Sequence, residues 1–220
     1  MRQSDLSRLQ KAETNTNDRY YLHHKFLFED LEKASKYATG RLLDIGCGNK
    51  PYQSLFEKCS YLGCDIVQSS GRKVDLLCNS HDIALKDGSF DSILATQVIE
   101  HVSEPRLLCS QAARLLKTGG IFIVSGPMMW QLHEEPFDFY RYTKHGFRHL
   151  LQTSGFELLE IMPNGGKWAA AGLVLLHAFE GTLLQNIWIT RIVNRIFCWA
   201  DSKAFNESLT SNYVVVARKL

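Results

Sequence analysis

Short apolar runs alternate with amphipathic or polar segments along most of the chain. Runs of the length and composition of buried strands lie at 41–46, 61–66, 74–78, 90–96, 120–125, 156–161 and 212–218. Helices are predicted between them, at 19–38, 52–58, 104–117, 143–153 and 167–200. This regular alternation predicts an α/β fold, doubly wound around a mostly parallel sheet.

The chain length predicts one structural unit. Its 220 residues suit a single domain, predicted over 19–220, preceded by a flexible polar tail over 1–18. Residues 167–205 are predicted as a helical insertion before the last strand. Its longest uncharged run, which starts at Trp168, has twelve residues and is too short to span a bilayer. Three interpretations stay open for this insertion: a cap that forms an acceptor pocket, a dimer face, or a helix lying on a membrane surface.

Composition narrows the class of protein. The chain is 45% hydrophobic and 22% charged, with a net charge of +2, which gives no electrostatic bias toward nucleic acid. The N-terminal stretch lacks the apolar core of a secretory signal. The six cysteines include no C-x-x-C pair and are interpreted as reduced, mostly buried thiols. These features predict a cytoplasmic protein, monomeric or homodimeric, without a transmembrane segment.

The segment 41–51, RLLDIGCGNKP, carries the strongest functional signal. An apolar strand ends at Asp44 and Ile45, and Gly46 and Gly48 then permit a sharp turn with close backbone approach to a ligand. A second acid, Asp65, ends the next apolar run, where nucleotide-binding α/β sheets place the carboxylate that binds ribose hydroxyls. The two features together predict a site for a ligand that contains adenosine.

The residues after the glycines exclude the common dinucleotide and phosphate loops. A dinucleotide fingerprint needs a third glycine and a P-loop ends in G-K-[ST], but the chain continues with Asn49-Lys50-Pro51. An acid before the turn also disfavours a pyrophosphate and suits a ligand that carries an ammonium group. The sequence LLDIGCGNKPY resembles the first motif of class I S-adenosylmethionine (SAM) dependent methyltransferases.

A second stretch extends this resemblance. Residues 86–102, KDGSFDSILATQVIEHV, are similar to the fourth strand of that family, whose carboxyl end meets the methionine part of SAM. The resemblance implies a seven-stranded Rossmann-like sheet with an antiparallel last strand, SAM as cofactor and S-adenosylhomocysteine as product. The expected cofactor-binding residues are Asp44, Gly46, Cys47, Gly48, Asp65, Ile66, Asn79, Ser80 and Gln97.

The loop after the fifth strand carries the candidate substrate chemistry. Residues 126–143 are rich in polar and aromatic side chains, as long functional loops are. The run H-x-x-P-x-D-x-x-R-Y-T resembles a subgroup of small-molecule methyltransferases of sugar, polysaccharide and natural-product pathways. Substrate contacts are predicted for Trp130, Asp138, Tyr140 and Arg141. For Asp138 and Arg141 a structural ion pair is the alternative.

A histidine can take the proton from an acceptor hydroxyl near neutral pH. His133 is the first catalytic candidate and His101 the second, the alternative for His101 being a scaffold role with Glu100. The predicted function is transfer of a methyl group from SAM to a small-molecule acceptor, O-methylation being favoured.

Three rival functions stay open. Quinone and small-RNA methyltransferases carry an E-x-x-E-H run that helps to bind a divalent cation, but this chain has Gln97 at the first acid, so no metal is predicted. A nicotinamide dehydrogenase is favoured only by Asp65. The third rival is a SAM-binding domain that has lost its chemistry and acts as a partner or sensor.

Overall fold

A seven-stranded sheet forms the centre of the computed structural model, which describes residues 14–220. The strand order is β3-β2-β1-β4-β5-β7-β6, and β7 runs antiparallel to both of its neighbours. The other adjacent pairs are parallel. The strands are β1 (Arg41–Ile45), β2 (Ser60–Asp65), β3 (Leu76–Leu77), β4 (Phe90–Thr96), β5 (Leu116–Pro127), β6 (Phe156–Pro163) and β7 (Asn212–Lys219). This topology confirms the predicted doubly wound sheet with an antiparallel last strand.

Helices cover both faces of the sheet because its central strands are apolar on both sides. Leu42 and Leu43 illustrate the alternation: Leu42 packs in a core that includes Leu31, and Leu43 in the opposite core with Leu108. The helices are α1 (Tyr21–Ser35), α2 (Pro105–Leu115), α3 (Lys144–Gln152), α4 (Lys167–Ala178) and α5 (Ile187–Lys203).

Two predicted helices differ from the structure. The helix predicted at 52–58 is a short 3₁₀ turn, Gln53–Phe56. The helix predicted over 167–200 is divided into α4 and α5, because Gly181 takes a left-handed φ of 72° and Asn186 caps α5. The Asn186 side chain accepts a hydrogen bond from the Trp188 N–H at 2.8 Å.

Helices α4 and α5 form a hairpin that packs against α1. At Gly172 a Cβ atom would lie 2.7 Å from the Cβ of Phe197 and 2.8 Å from Leu22, so only glycine permits this approach. Asn194 of α5 donates hydrogen bonds to the backbone carbonyls of Thr16 and Asp18, so these two residues are anchored. Residues 1–13 of the tail predicted over 1–18 lie outside the described residues.

Within residues 14–220, none of the helices combines the length and the apolar run that a transmembrane span needs.

The parallel strands end at one edge of the sheet, and this edge positions the candidate site. Strand β1 ends at Ile45, β2 at Asp65, β4 at Thr96 and β5 at Pro127. Ligands of doubly wound sheets bind at such carboxyl ends. Helix α1 and the loop that follows β5 lie against the same edge, since His23 packs on Trp130.

Candidate functional site

The turn after β1 has a conformation that glycine alone adopts without strain. Gly46 has a φ of 75° and Gly48 a φ of 49°, and a Cβ atom on Gly46 would lie 2.3 Å from Val98 Cγ2. The N–H groups of Gly46 and Cys47 donate to the Cys64 carbonyl at 2.8 and 3.0 Å. The turn is therefore fixed to β2.

Two buried carboxylates flank this turn. Asp65 accepts hydrogen bonds from the Gly48 N–H at 3.0 Å and from the Ile66 N–H at 2.7 Å. Asp44 accepts one from the Tyr61 hydroxyl. Burial raises the pKa of Asp44 to about 7; the Tyr61 bond opposes this shift and the nearby Asp65 adds to it. A ligand cation beside Asp44 would favour its ionised form.

The carboxyl edge of the sheet is hollowed into two chambers that share a wall. The first has a volume of about 370 Å³ and the second about 260 Å³. The residues common to both linings are Gly46, Asp65, Val98 and His101. The predicted residues Ile66, Asn79 and Ser80 line only the first chamber, and Asp44, Cys47, Gly48, Gln97, Trp130 and His133 line only the second.

Three buried polar groups in these walls have no hydrogen-bond partner within residues 14–220. They are both amide atoms of Asn49, the Thr96 hydroxyl and the Nε2 atom of His81. Asn49 and Thr96 line the second chamber, and His81 lines the first. Buried polar groups are normally satisfied, so these atoms indicate a polar ligand. Asn49 was not predicted as a site residue, although it directly follows the glycine turn.

Two predicted cofactor residues that line the chambers, Asn79 and Gln97, also form hydrogen bonds with other protein groups. The Asn79 side-chain oxygen accepts a hydrogen bond from the His81 N–H at 3.0 Å, so it stabilises its own loop. The Gln97 Nε2 atom donates to Ser125 Oγ at 2.9 Å and to Asn212 Oδ1 at 2.8 Å. The side-chain nitrogen of Gln97 is thus engaged with β5 and β7.

Cys47 is buried against β2. A Cβ atom on Gly63 would lie 2.7 Å from its sulfur. Burial, with Asp44 and Asp65 nearby, raises the pKa of the Cys47 thiol, so this cysteine is protonated and unsuited to act as a nucleophile.

The loop after β5 is held by a bidentate ion pair. Arg141 donates to both carboxylate oxygens of Asp138, at 2.6 and 2.7 Å, and also to the Gln131 carbonyl at 3.0 Å. Burial acts to raise the pKa of Asp138, but hydrogen bonds from Arg141 and His133 lower it to about 2. Asp138 and Arg141 form an ion pair and line neither chamber; the substrate contact predicted for them stays a prediction.

Tyr140 also supports this loop from outside the two chambers. Its hydroxyl donates to the Ser103 carbonyl at 2.9 Å, and its ring packs on Tyr142. Tyr140 thus stabilises the loop, and the acceptor contact predicted for it stays a prediction.

Two histidines face each other in the second chamber, with ring centroids 4.6 Å apart. His133 Nδ1 lies 3.2 Å from Asp138 Oδ2 and 3.3 Å from the Gln131 carbonyl. Both partners only accept hydrogen bonds, so Nδ1 carries the hydrogen and Nε2 is the basic nitrogen. By the same argument, His101 Nδ1 donates to the Phe137 carbonyl at 2.7 Å.

Glu100 lies beside these histidines and is fully buried. Neither of its carboxylate oxygens has a hydrogen-bond partner among residues 14–220, and burial raises its pKa to about 8. Glu100, His101 and His133 each offer one ligand atom, all within 4.8 Å of one another. The sequence predicted no metal, yet the structure brings together a donor set that can bind one.

Trp130 and His23 line the second chamber, and with the rings that pack on Trp130 they form a cluster that we call the roof. The Trp130 ring centroid lies 4.4 Å from that of His23, 5.1 Å from that of His177 and 5.5 Å from that of Tyr20. Burial lowers the pKa of His23 to about 3, so this imidazole is neutral. Of these four residues, the sequence predicted only Trp130; His23 lies on α1, Tyr20 directly precedes α1 and His177 lies on α4, and no local motif marks them.

The arrangement fits a nucleoside that also carries a cation. Asp65 stands between the chambers at the end of β2, where it can bind a ribose, and Asp44 can pair with an ammonium group. Asn49 and Thr96 can satisfy polar atoms of the same ligand. Fold and site thus define a nucleoside-binding protein of the doubly wound α/β class.

Comparisons with known proteins specify this class. The family described as "Methyltransferase domain" matches residues 43–124. A "Probable S-adenosylmethionine-dependent methyltransferase" of Mycolicibacterium smegmatis is 26% identical, over 79% of this chain and 72% of the relative. A "Ubiquinone biosynthesis O-methyltransferase" of Cereibacter sphaeroides is 31% identical, over 44% of each chain.

A solved structure shows the same fold. It is a SAM-dependent methyltransferase of Thermotoga maritima, titled a possible histamine N-methyltransferase. The TM-score is 0.58 at 19% identity, and the match covers 92% of this chain and 94% of the other.

Residues 43–124 match the methyltransferase family, and the relatives and solved structures support a class I SAM-dependent methyltransferase with SAM as its cofactor. The glycine turn and Asp65 are the residues that carried the resemblance in the sequence. These comparisons favour a methyltransferase over the nicotinamide dehydrogenase alternative.

Proposed function

We propose that the protein transfers the methyl group of SAM to a hydroxyl oxygen of a small, uncharged acceptor in the second chamber. The observation that carries this proposal is the orientation of His133. Its Nδ1 atom is directed at the Asp138 carboxylate, which leaves the basic Nε2 atom for an acceptor proton. The O-methyltransferase name of the partial relatives supports transfer to oxygen.

The roof of the chamber supports the choice of acceptor. Trp130 offers an aromatic face, and the neutral His23 offers a hydrogen-bonding ring without a charge. This combination suits a sugar, a polysaccharide precursor or a hydroxylated natural product better than an ionic acceptor. The small net charge of +2 gives no support for a nucleic-acid acceptor.

The residues divide the work of the reaction. Bound SAM would supply an activated methyl group, whose bond to sulfur breaks as the bond to oxygen forms, giving S-adenosylhomocysteine. Asp65 binds the ribose, and ionised Asp44 binds the ammonium group. His133 Nε2 removes the hydroxyl proton as the new O–C bond forms, and Asp138 stabilises the resulting imidazolium. The ion pair with Arg141 keeps Asp138 in place, so both residues are positioning residues.

His133→Gln tests this proposal. The substitution removes the base, so we expect kcat to fall about 10²- to 10⁴-fold, with S-adenosylhomocysteine affinity nearly unchanged. The assay is S-adenosylhomocysteine release with a panel of sugars and phenols as acceptors. His145→Gln, an exposed histidine of α3, is the matched control and should keep full activity.

Three results would contradict the proposal. They are full activity of His133→Gln, a parallel loss of cofactor affinity, and cofactor binding by the natural protein without turnover of any acceptor. The last of these would favour a SAM-binding partner or sensor.

A metal-assisted O-methyltransferase is the second candidate, favoured by the cluster of Glu100, His101 and His133. His101 donates its other ring nitrogen to a backbone carbonyl, and His133 directs its own to Asp138, as metal-binding histidines do. Two imidazoles and one carboxylate suit Zn²⁺, Mn²⁺ or Fe²⁺ better than Mg²⁺. Activity that EDTA abolishes and one of these ions restores would establish this candidate, and activity unaffected by EDTA would exclude it.

A further inference from the structure

We infer that the hairpin of α4 and α5 docks the protein on an anionic lipid surface. The evidence begins with the solvent face of α5. Trp188, Ile192, Ile196 and Trp199 are each more than half exposed and recur at helical spacing. Leu183, in the connection before α5, is fully exposed. Single exposed apolar residues are common on protein surfaces, but a row with two tryptophans is not.

The charges on this helix determine the partner. Arg195 and Lys203 are exposed on α5, and no carboxylate of residues 14–220 forms a salt bridge with either of them. The one acid of α5, Asp201, is buried and accepts hydrogen bonds from the N–H groups of Gly166 and Ala169. The exposed face of α5 is therefore apolar and cationic, which is complementary to anionic headgroups.

The same charges disfavour a second copy of the chain as the partner. A two-fold dimer through α5 would place this exposed face against its own copy, and the one acid of α5, Asp201, is buried, so the helix offers the cations of the other copy no carboxylate. Tryptophan next to arginine and lysine is typical of the bilayer interface. With 17 residues, α5 is long enough to lie flat there.

The hairpin also connects this face with the second chamber. His177, near the end of α4, packs on Trp130 in the roof, and the exposed Leu183 follows six residues later. Docking would therefore bring the roof close to the lipid surface, where an amphiphilic acceptor resides. This consequence for the acceptor depends on the proposed function, whereas lipid docking itself does not.

Flotation of the full-length protein with vesicles tests the inference. We expect binding to phosphatidylcholine vesicles that contain phosphatidylglycerol, weaker binding to pure phosphatidylcholine, and loss of the difference at high salt. Leu184 is also exposed, next to Leu183 in the connection before α5, and Leu184→Ala should lower partitioning roughly tenfold. Leu107→Ala on α2 is the matched control, since both leucines are 47% exposed, and should have no effect. Lys203→Gln should lower partitioning about fivefold, and the exposed Lys58→Gln should not.

These measurements also identify the results that would overturn the inference. One is equal binding to neutral and anionic vesicles, or no binding to either. Another is an equal effect of Leu184→Ala and Leu107→Ala. A third is a dimer in analytical ultracentrifugation that Leu184→Ala dissociates while vesicle binding stays unchanged. None of these readouts uses methyl transfer, so a failure of the proposed function would leave them unaffected.

Discussion

Asp44→Asn should stabilise the cofactor-free protein and weaken cofactor binding at the same time. Burial raises the pKa of Asp44 from its ordinary value of 3.8 to about 7. The folded protein therefore holds a proton on Asp44 that the unfolded chain releases above about pH 4. The free energy of unfolding consequently falls as the pH rises toward 7 and is then constant. At about 1.4 kcal/mol per pKa unit, the raised pKa of Asp44 lowers the free energy of unfolding by about 4 kcal/mol near pH 8 and by roughly 1 to 2 kcal/mol near pH 5.

Asparagine has the same shape and can still accept the Tyr61 hydrogen bond, but it cannot ionise. Urea denaturation without ligand should show Asp44→Asn more stable than the natural protein, with a larger gain near pH 8 than near pH 5. Asp82→Asn, an exposed carboxylate near the first chamber, serves as the control and should show no such gain.

Calorimetric titration with S-adenosylhomocysteine supplies the second half of this test. In the natural protein affinity should rise as the pH increases from about 5 to 7, since ionised Asp44 pairs with the ammonium group. In Asp44→Asn affinity should be lower and independent of pH. A variant that is less stable near pH 8, or that binds as tightly as the natural protein, would refute this account of Asp44.

Further predictions concern the turn and the buried polar groups. Gly46→Ala should cost about 3 kcal/mol of stability, because its Cβ would meet Val98 and its φ is left-handed. Gly88 also has a left-handed φ but lies in open space, so Gly88→Ala should cost only about 1 kcal/mol. Equal denaturation midpoints of the two variants would contradict this. Asn49→Ala should weaken S-adenosylhomocysteine binding about tenfold in calorimetry without lowering stability, since its amide has no partner among residues 14–220; unchanged affinity would remove it from the site. Glu100→Gln should stabilise the metal-free protein by about 3 kcal/mol near pH 7, because it removes the carboxylate whose pKa burial raises. If the cluster binds metal, Mn²⁺ should raise the melting temperature of the natural protein but not that of Glu100→Gln.

The sequence predicted the parts of the site that short segments determine. The turn at Gly46 and Gly48 follows from conformational freedom, which only glycine has, and Asp65 follows from its place at the end of a strand. The sheet was predictable for a related reason. Apolar runs bounded by turns identify parallel strands.

The parts that sequence reasoning missed depend on contacts between distant segments. Trp130 meets His23 and His177 only because α1 and α4 pack above the sheet, and no periodicity encodes that meeting. Asn79 illustrates a second limit. Its residue type allows either adenine recognition or an Asx turn, and its side-chain oxygen, which accepts from the His81 N–H, has a second lone pair, so the adenine contact stays a prediction.

The roof of the second chamber has a consequence for how such a protein diversifies. Tyr20, His23, Trp130 and His177 all lie outside the stretch 43–124 that matches the methyltransferase family. Homologues can therefore accumulate substitutions in these flanking segments, which changes the proposed acceptor site while the cofactor-binding residues stay the same. Grafting the flanking segments between homologues is thus a direct route to altered acceptor preference.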